Sequence, residues 1–319
     1  MLKYVIKRIL LMFLTLIVIV AICFILVRLL PRELPMDKSQ KEAIEARFEV
    51  LGYNKPILIQ LFIYFKNIIT AWDFGTSWYI SYNTPVIDVF ASRVTPTLLL
   101  NIYSLLFSVP VGILLGIYAA LKKNKWQDQV INVIIILFVS IPSYIYAFLV
   151  QYFLYFKLGW FPVNVYSIAD AGGSYFTWKM FYSMIPAILS LSFGEIAGLC
   201  RFVRAELTET LTSDYMLLAR TKGLTKRQAT VRHALKNAMV PTLPMIIGSL
   251  FGILGGSLII EQIFSVPGVG SLYIRSVQQL DYDLFMFDSI FYTFIGLTGG
   301  IVVDLSYGFI DPRIRMGAR

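Results

Sequence analysis

The side chains that most often carry out chemistry or bind metals are scarce in this sequence. It contains two cysteines, Cys23 and Cys200, and one histidine, His233. The cysteines lie in or beside apolar runs without metal-type spacing, which predicts reduced packing residues and neither a disulfide framework nor a zinc site. His233 stands in a basic segment with no carboxylate or cysteine nearby, so no nucleophile–base pair or metal centre can be assembled around it. An enzyme is therefore the least favoured class of function.

A few polar side chains lie inside apolar runs. An ionised carboxylate at Glu195 is costly there, so it either contacts a substrate or ion, or it snorkels or pairs with a neighbouring helix. Asp288 and Asp304 lie near the ends of a later run, where interfacial or inter-helix hydrogen bonding is expected in preference to a proton relay. Tyr144 is a further candidate for contact with a bound molecule, with a place in an aromatic belt as the alternative.

The sequence indicates neither a nucleotide-binding site nor a nucleic-acid-binding surface. The sequence has no Gly-x-x-x-x-Gly-Lys-Ser/Thr phosphate loop, so no nucleotide site of that kind is predicted in this chain. The net charge of +9 would suit nucleic acid, but the basic residues gather at the ends of apolar runs and form no patch with exposed aromatics. We therefore expect these charges to set membrane topology, and we expect no nucleic-acid partner.

The elements that position these residues are predicted to be membrane-spanning helices. Hydrophobic residues make up 57% of the chain, charged residues 15%, and the mean hydropathy is +0.71. Apolar runs of about 20 residues are long enough to cross a bilayer. The first, Ile9–Val27, exceeds a signal-peptide core and lacks a small-residue cleavage site, so we expect it to be retained. Five further spans are predicted near Thr97–Leu121, Val130–Phe156, Met180–Cys200, Val240–Phe264 and Leu284–Tyr307.

Lysine and arginine are distributed unequally between the two sides of these spans. One side carries Lys122, Lys123, Lys125, Arg201, Arg204, Arg220, Lys222, Lys226, Arg227, Arg232, Lys236, Arg313, Arg315 and Arg319. The short loops of the other side carry only Lys157, Lys179 and Arg275. The positive-inside rule then places both termini in the cytoplasm and the segment Pro31–Arg93 outside. In that segment Gly52 and Pro56 separate a helix-like stretch, Lys41–Leu51, from an aromatic run, Leu58–Ile69.

Glycine and proline suggest where the spans pack and bend. Small-x-x-x-small spacing lets helices approach closely, and it predicts packing at three pairs of glycines. These pairs are Gly112 and Gly116, Gly252 and Gly256, and Gly296 and Gly300. Pro110 and Pro142 are candidates for helix kinks.

The loop of residues 205–239, hereafter the basic loop, is too long and regular to serve only as a connection. It is predicted to form two short helices around Gly223, because glycine adopts a left-handed turn most readily. Ser213 or Asp214 is expected to cap the first helix. Thr225 and Gln228 are expected to form a capping box at the start of the second.

Both helices of the basic loop carry an apolar surface. At 100° per residue the second helix places Val231, Ala234, Leu235 and Ala238 on one face, with Lys226, Arg232, His233 and Lys236 opposite. The block Tyr215-Met216-Leu217-Leu218 in the first helix must also be covered on one side. Two interpretations stay open: a helix pair that docks on a cytoplasmic partner and transmits motion, or an interfacial helix that rests on anionic lipid headgroups.

The basic loop resembles the EAA loop of binding-protein-dependent ABC permeases, and the peptide branch in particular. The matching residues are Asp214, Ala219-Arg220-Thr221-Lys222-Gly223-Leu224, Arg232-His233-Ala234-Leu235-Lys236-Asn237-Ala238 and Pro241. Leu217 and Leu218 depart from the Glu and Ala of the general consensus. Lys236 stands where many relatives outside the peptide branch have proline.

Other motifs extend the resemblance to oligopeptide and dipeptide permeases over nearly the whole chain. They are Leu51-Gly52-Tyr53-Asn54-Lys55-Pro56, Asp73-Phe74-Gly75-Thr76-Ser77, Arg93 with Pro96-Thr97-Leu98, Glu261-Gln262-Ile263-Phe264-Ser265-Val266-Pro267-Gly268-Val269-Gly270, and Asp311-Pro312-Arg313-Ile314-Arg315. Their shared order and spacing give the resemblance its specificity.

The resemblance implies an all-α integral membrane protein with six transmembrane helices and the type I ABC importer permease fold. An extracytoplasmic segment, residues 31–95, would separate the N-terminus and first helix, 1–30, from the permease core, 96–308, and a cytoplasmic tail, 309–319. The implied ATPase-coupling residues are Asp214, Tyr215, Ala219, Arg220, Lys222, Gly223, Leu224, Arg232, His233 and Leu235. Glu195 and Tyr144 are the candidates for the substrate path.

The same resemblance implies a complex in a bacterial-type cytoplasmic membrane. Its other members would be a second homologous permease, two cytoplasmic ATPases and an extracytoplasmic binding protein. This chain would bind no cofactor, since ATP and Mg would be held by the ATPases. Oligopeptides or dipeptides are the expected cargo, with nickel or another small solute as the alternative. A secondary transporter is less favoured, because the chain has one deep carboxylate and no repeated halves.

Overall fold

The chain folds almost entirely into helices in a computed structural model that describes residues 2–30, 41–42, 45–46, 48–49, 52, 54–255 and 257–310. The helices of the described residues are α1 (Leu2–Arg28), α2 (Ile57–Ala71), α3 (Val86–Leu121), α4 (Trp126–Ser140), α5 (Ser143–Gln151), α6 (Trp178–Leu211), α7 (Asp214–Thr221), α8 (Lys226–Ala229), α9 (Leu235–Gly255), α10 (Leu258–Ile263), α11 (Val269–Gln278) and α12 (Tyr282–Ile310). A π-helical segment, Tyr152–Lys157, extends α5, and another, Thr230–Ala234, joins α8 to α9. Strands β1 (Thr76–Ser77) and β2 (Thr84–Pro85) pair antiparallel.

Five stretches of the described chain are helical, long and apolar enough to cross a bilayer. They are Lys3–Arg28, Val86–Leu121, Trp178–Leu211, Lys226–Gly252 and Tyr282–Ile310. A sixth candidate is the pair α4 and α5, with its π-helical extension. The chain is therefore a multi-pass membrane protein, which confirms the predicted fold class.

The span predicted as one continuous helix over Val130–Phe156 is broken in the middle. The chain bends by 104° between α4 and α5. Ile141 is extended, with ψ 126°, and Pro142 precedes α5. Proline disfavours a helical conformation for the residue before it, which explains why α4 stops at Ser140. Pro110, by contrast, lies within the unbroken helix α3.

Other predicted bounds were also wrong at their ends. The helix predicted over Thr97–Leu121 begins at Val86, and the one over Met180–Cys200 continues to Leu211. These extensions are amphipathic, so an apolar run alone does not reveal them. The span predicted over Val240–Phe264 is divided between α9 and α10. Parts of the predicted helix Lys41–Leu51 and the whole motif Asp311–Arg315 fall outside the described residues.

The chain divides into two compact units, of which the first comprises Met1–Thr95 and Pro267–Thr298. Its larger core contains Phe74, Val86, Val89, Phe90, Val269, Leu272, Leu284 and Phe287. The buried carboxylate of Asp281 holds the segment around the β-hairpin. It accepts hydrogen bonds from Ser77 Oγ at 2.6 Å and from the backbone amides of Tyr79 and Ile80 at 3.2 and 3.1 Å. These bonds satisfy amides that the two short strands leave unpaired.

Asp288 belongs to the same unit and departs from its predicted role. It is fully buried, so it is not an interfacial residue. Neither of its carboxyl oxygens has a hydrogen-bond donor in the described part of the chain, so the predicted inter-helix hydrogen bond is also absent there.

The second unit comprises Pro96–Val266 and Gly299–Arg319, and α6 contributes much of its core. Gly112 and Gly116 let α3 approach α6 closely, as predicted. An added Cβ at Gly112 would lie 2.9 Å from Leu199 Cβ, and one at Gly116 would lie 2.8 Å from the carbonyl oxygen of Cys200. Any side chain at these two positions would therefore separate the helices.

The other predicted glycine contacts were wrong wherever the structure describes them. A Cβ added at Gly252, Gly296 or Gly300 would meet nothing within 4 Å among the described residues. The close approach in this region occurs instead at Gly299, where a Cβ would lie 2.8 Å from Phe251 Cβ. Spacing identifies a face that permits close packing, but it does not determine which glycine a neighbouring helix meets.

Candidate functional site

Helix α7 in the basic loop has one apolar face on the protein core and one left open. Met216 and Ala219 are buried, being 4% and 7% exposed. Tyr215, Leu217 and Leu218 are 39%, 64% and 55% exposed. The sequence predicted that one side of this apolar block would be buried against a partner or the protein core. In the structure the second unit buries only one side of the helix. The remaining three side chains form an apolar surface on a short, firmly packed helix.

A glycine turn ends this helix and sets the direction of the chain that follows. Gly223 has a φ of +90°, the left-handed conformation predicted for it. The amide of Leu224 donates to Ala219 O at 3.3 Å, and the amide of Gly223 donates to Arg220 O at 3.0 Å. These two bonds define a Schellman motif, in which Gly223 is the first residue beyond the C-cap. Leu224 packs against the same core as Ala219, which completes the motif.

The second helix of the loop begins at the predicted capping box. Gln228 N donates to Thr225 Oγ1 at 3.3 Å, and Thr225 N donates to Gln228 Oε1 at 3.0 Å. The cap predicted for the first helix is different. Ser213 occupies the N-cap position, but its hydroxyl donates backward to Thr210 O at 2.6 Å and accepts no amide from α7. Asp214 lies in the first turn, where its charge favours the helix N-terminus.

A π-helical segment changes which face of the second helix is buried. The buried residues are Ala229, Thr230, Ala234 and Ala238. The step of five residues from Ala229 to Ala234 matches π-helical hydrogen bonding, and it shifts the buried face relative to a regular α-helix. Val231, predicted to share the apolar face, is for this reason 58% exposed. Leu235 is half-buried, in agreement with the prediction.

The core beneath the loop is built largely from small side chains. Ala120, Ala219, Ala229, Ala234 and Ala238 pack with Leu207 and Met216. Because alanine has only a methyl group, the backbones of α7, the π-helical segment and the ends of α3 and α6 come close together. This packing seats the loop firmly on the membrane-spanning helices.

A buried ion pair at the side of the loop was not foreseen from the sequence. Arg204 Nε and Nη2 donate to the two oxygens of Asp128 at 2.6 and 2.8 Å. Asp128, 2% exposed, also accepts from the amide of Asn124 and from Asn132 Nδ2. The pair ties the start of α4 to α6. Bidentate hydrogen bonds between an arginine and a carboxylate are strong and directional.

The basic residues of the loop itself lie on its surface. Arg220, Lys222, Lys226, Arg227, Arg232, His233 and Lys236 are all exposed. Together with Tyr215, Leu217 and Leu218 they make a surface that combines an apolar centre with basic surroundings. Such a surface suits a partner with an apolar pocket and acidic residues.

The two substrate-path candidates occupy different environments. Glu195 is half-buried, and its Oε1 accepts a hydrogen bond from Ser249 Oγ on α9 at 2.6 Å. Pairing with a neighbouring helix, one of the two readings of this residue, therefore occurs. Tyr144, just after the break at Pro142, is 40% exposed.

Two sequence motifs that are far apart in the chain meet in the second unit. Thr97 Oγ1 donates to Glu261 Oε1 at 2.8 Å, and both side chains are buried. Each motif had been noted only for its resemblance to a family. Their hydrogen bond connects α3 to the short helix α10.

Long apolar helices and a firmly seated basic loop are typical of a subunit embedded in a membrane. The chain belongs to the family described as binding-protein-dependent transport system inner membrane component, whose model matches residues 112–316. Residues 1–98 match the N-terminal part, described as binding-protein-dependent transport system membrane component, N-terminal. It is therefore an ABC importer permease with the type I fold, and not an enzyme.

Proteins of known name resemble the chain from end to end. The dipeptide transport system permease protein DppB of Lactococcus lactis subsp. cremoris (strain MG1363) is 34% identical over 317 residues, covering 99% of this chain and 100% of the relative. The glutathione transport system permease protein GsiC of Escherichia coli (strain K12) is 33% identical over 320 residues, covering 99% of both.

A solved structure shares the fold. The crystal structure of a bacterial ABC transporter involved in the import of the acidic polysaccharide alginate matches with a TM-score of 0.50 and 18% identity. The match covers 86% of this chain and 99% of that chain. At this identity the likeness concerns the fold alone.

Proposed function

We propose that this chain forms one half of the translocation path of an ATP-driven importer of short peptides. The observation that carries the proposal is the end-to-end similarity to permeases whose names specify dipeptide and glutathione transport. Dipeptides and glutathione share amide bonds and charged ends. A path that this chain shares with such relatives would accept molecules with the same amide bonds and charged ends.

We further propose that the basic loop is the element through which ATP hydrolysis drives the permease. The exposed apolar surface of Tyr215, Leu217 and Leu218 would enter a cleft of an ATPase subunit. The predicted coupling residues Asp214, Ala219, Arg220, Lys222, Gly223, Leu224, Arg232, His233 and Leu235 either surround that surface or fix its position. We favour docking over rest on lipid headgroups, because a permease of this family would be driven by a separate ATPase that has to contact it.

The complex around the chain follows from this role. A second, homologous permease would complete the path, and two ATPases would bind ATP and Mg on the cytoplasmic side. A binding protein outside the cytoplasmic membrane would deliver the peptide. Residues 31–95 would form the extracytoplasmic segment, 96–308 the permease core and 309–319 a cytoplasmic tail, with residues 1–30 supplying the N-terminus and first span.

Purification of the assembled importer tests the function directly. The affinity-tagged chain should retain a second permease and ATPase subunits in mild detergent, and liposomes that contain the complex should take up short peptides when ATP and the binding protein are supplied. Omission of ATP or of the binding protein is the control and should stop uptake. A complex whose binding protein takes only a metal chelate would contradict the peptide assignment. A chain that transports without ATPases would contradict the whole proposal.

Cysteine labelling tests the proposed orientation. In a background without Cys23 and Cys200, Asn54→Cys should react with a membrane-impermeant maleimide in intact cells after the outer barrier is opened. Lys226→Cys should react only after the cytoplasmic membrane is broken, because the positive-inside rule keeps the basic loop in the cytoplasm. Both positions are exposed, so access to the side chain does not limit the reaction. The reverse pattern would contradict the orientation.

A further inference from the structure

Glu195 is a carboxylate within the apolar part of a membrane-spanning helix. It lies six residues before Arg201, or about 9 Å along the helix axis, and inside the apolar run Met180–Cys200. It forms no salt bridge with any described residue. Its helical neighbours three and four residues away include Leu191 and Leu199, which give no charge compensation. A carboxylate without a counter-charge in such a place has a high cost, which a functional role can explain.

The hydroxyl of Ser249 fixes the position of this carboxylate but does not neutralise it. Ser249 Oγ lies 2.6 Å from Glu195 Oε1 and within 3.2 Å of Met245 O. A carboxylate has about four acceptor sites on its two oxygens, so one hydroxyl leaves most of them unused. The half-buried side chain keeps part of its surface accessible. The carboxylate is therefore oriented by α9 and still able to bind a cation.

Glycines stand one turn away from both residues of this hydrogen bond. A Cβ added at Gly198, one turn along α6, would meet only Met245 Cε at 3.8 Å. A Cβ added at Gly252, one turn along α9 from Ser249, would meet nothing within 4 Å in the part of the chain that is described. These two glycines thus place no side chain of their own on α6 and α9 within a turn of Glu195 and Ser249.

We propose that Glu195, held by Ser249, binds the positively charged group of a peptide as the peptide passes along the path. This inference rests on the proposed function. It adds that the path prefers peptides with a positively charged group at this point. The group is an ammonium or guanidinium cation, from either the peptide N-terminus or a lysine or arginine side chain. A partly desolvated carboxylate attracts such a group more strongly than an exposed one does.

The test uses the complete importer in liposomes and initial rates of uptake of tri-lysine, tri-alanine and tri-glutamate. Glu195→Gln keeps the size of the side chain and an acceptor for Ser249 while it removes the charge. It should reduce uptake of tri-lysine by about tenfold or more, as expected for the loss of one charge-assisted contact. Glu195→Asp should retain more of the activity. Asp170→Asn, which removes an exposed carboxylate of the same unit, should behave as the parent.

The three peptides separate the sources of the cation and the ways in which the inference can fail. Every one of the three peptides has an N-terminal ammonium, so equal loss for all three with a parental rate of basal ATP hydrolysis identifies that group, and loss for tri-lysine alone identifies basic side chains. Equal loss for all three together with loss of basal ATP hydrolysis is a general defect and would overturn the inference. Parental uptake of all three peptides by Glu195→Gln would overturn the inference, as would loss of the second permease during its purification. A parent importer that hydrolyses ATP but moves no peptide would overturn the proposed function itself.

Discussion

Replacement of Gly223 by valine is expected to uncouple the importer while leaving the permease in the membrane. The φ of +90° at this position is nearly free for glycine and costs a β-branched residue about 1–2 kcal/mol. A penalty of that size lowers the equilibrium constant for forming the native turn about 5–30-fold. Peptide uptake and substrate-stimulated ATP hydrolysis should fall accordingly, because α7 would no longer be held at its angle to α8. Both rates are measured in liposomes against the parent.

Asparagine at the same position is the matched control. An added Cβ at Gly223 would meet nothing within 4 Å of the described structure, so any defect arises from the backbone conformation and not from crowding. Asparagine adopts left-handed conformations more readily than valine, and Gly223→Asn should therefore keep most of the activity. The membrane content of both variants should equal that of the parent, since insertion depends on apolar length and flanking charge. Parental transport by Gly223→Val would remove the basis for a coupling role of residues 214–238.

Loss of the ion pair between Asp128 and Arg204 is expected to have the largest effect on stability. Asp128→Ala would leave the guanidinium of Arg204 without its bidentate partner. Removal of one member of a buried pair costs about 3–5 kcal/mol, and we expect about 2–3 kcal/mol here because 24% of the Arg204 side chain is accessible. The apparent melting temperature of the purified permease in detergent should fall by roughly 4–6 °C.

A double replacement shows whether the effect belongs to the pair. Asp128→Ala combined with Arg204→Ala should melt no lower than Asp128→Ala alone, since no charge is then left unpaired. Asp170→Ala serves as the control, because this exposed carboxylate has a single described side-chain partner, Ser167. Strictly additive effects of the two single replacements would show that the pair does not act as a unit.

Local features of the site were predictable because their causes lie within a few residues of sequence. The capping box at Thr225 and Gln228 and the left-handed turn at Gly223 each depend on neighbours in the chain, and both were found where predicted. The helical fold class was predictable for a similar reason, since a run of apolar residues determines a span by itself.

Features that depend on distant partners were not predictable. Arg204 had been interpreted only as a topology charge, because its partner, Asp128, lies in another helix. The contact between Thr97 and Glu261 joins residues on two different helices that the sequence separates widely. Among the glycine pairs, Gly112 and Gly116 were predicted and Gly299 was missed, because the choice depends on the neighbouring helix.

The π-helical segment Thr230–Ala234 has a consequence for how this permease can evolve. It joins a short amphipathic helix to a membrane-spanning one without a loop between them. In a regular α-helix the rotation per residue is fixed, so the direction of the buried face at one end determines its direction at the other end. One wide turn between them adds a fixed rotational offset, so the buried face of the loop end does not continue the buried face of the membrane end. If the loop end binds an ATPase as proposed, substitutions that adapt it to a new ATPase fall on a different face from those that preserve the packing of the membrane end, and the two ends can diverge along a single helix.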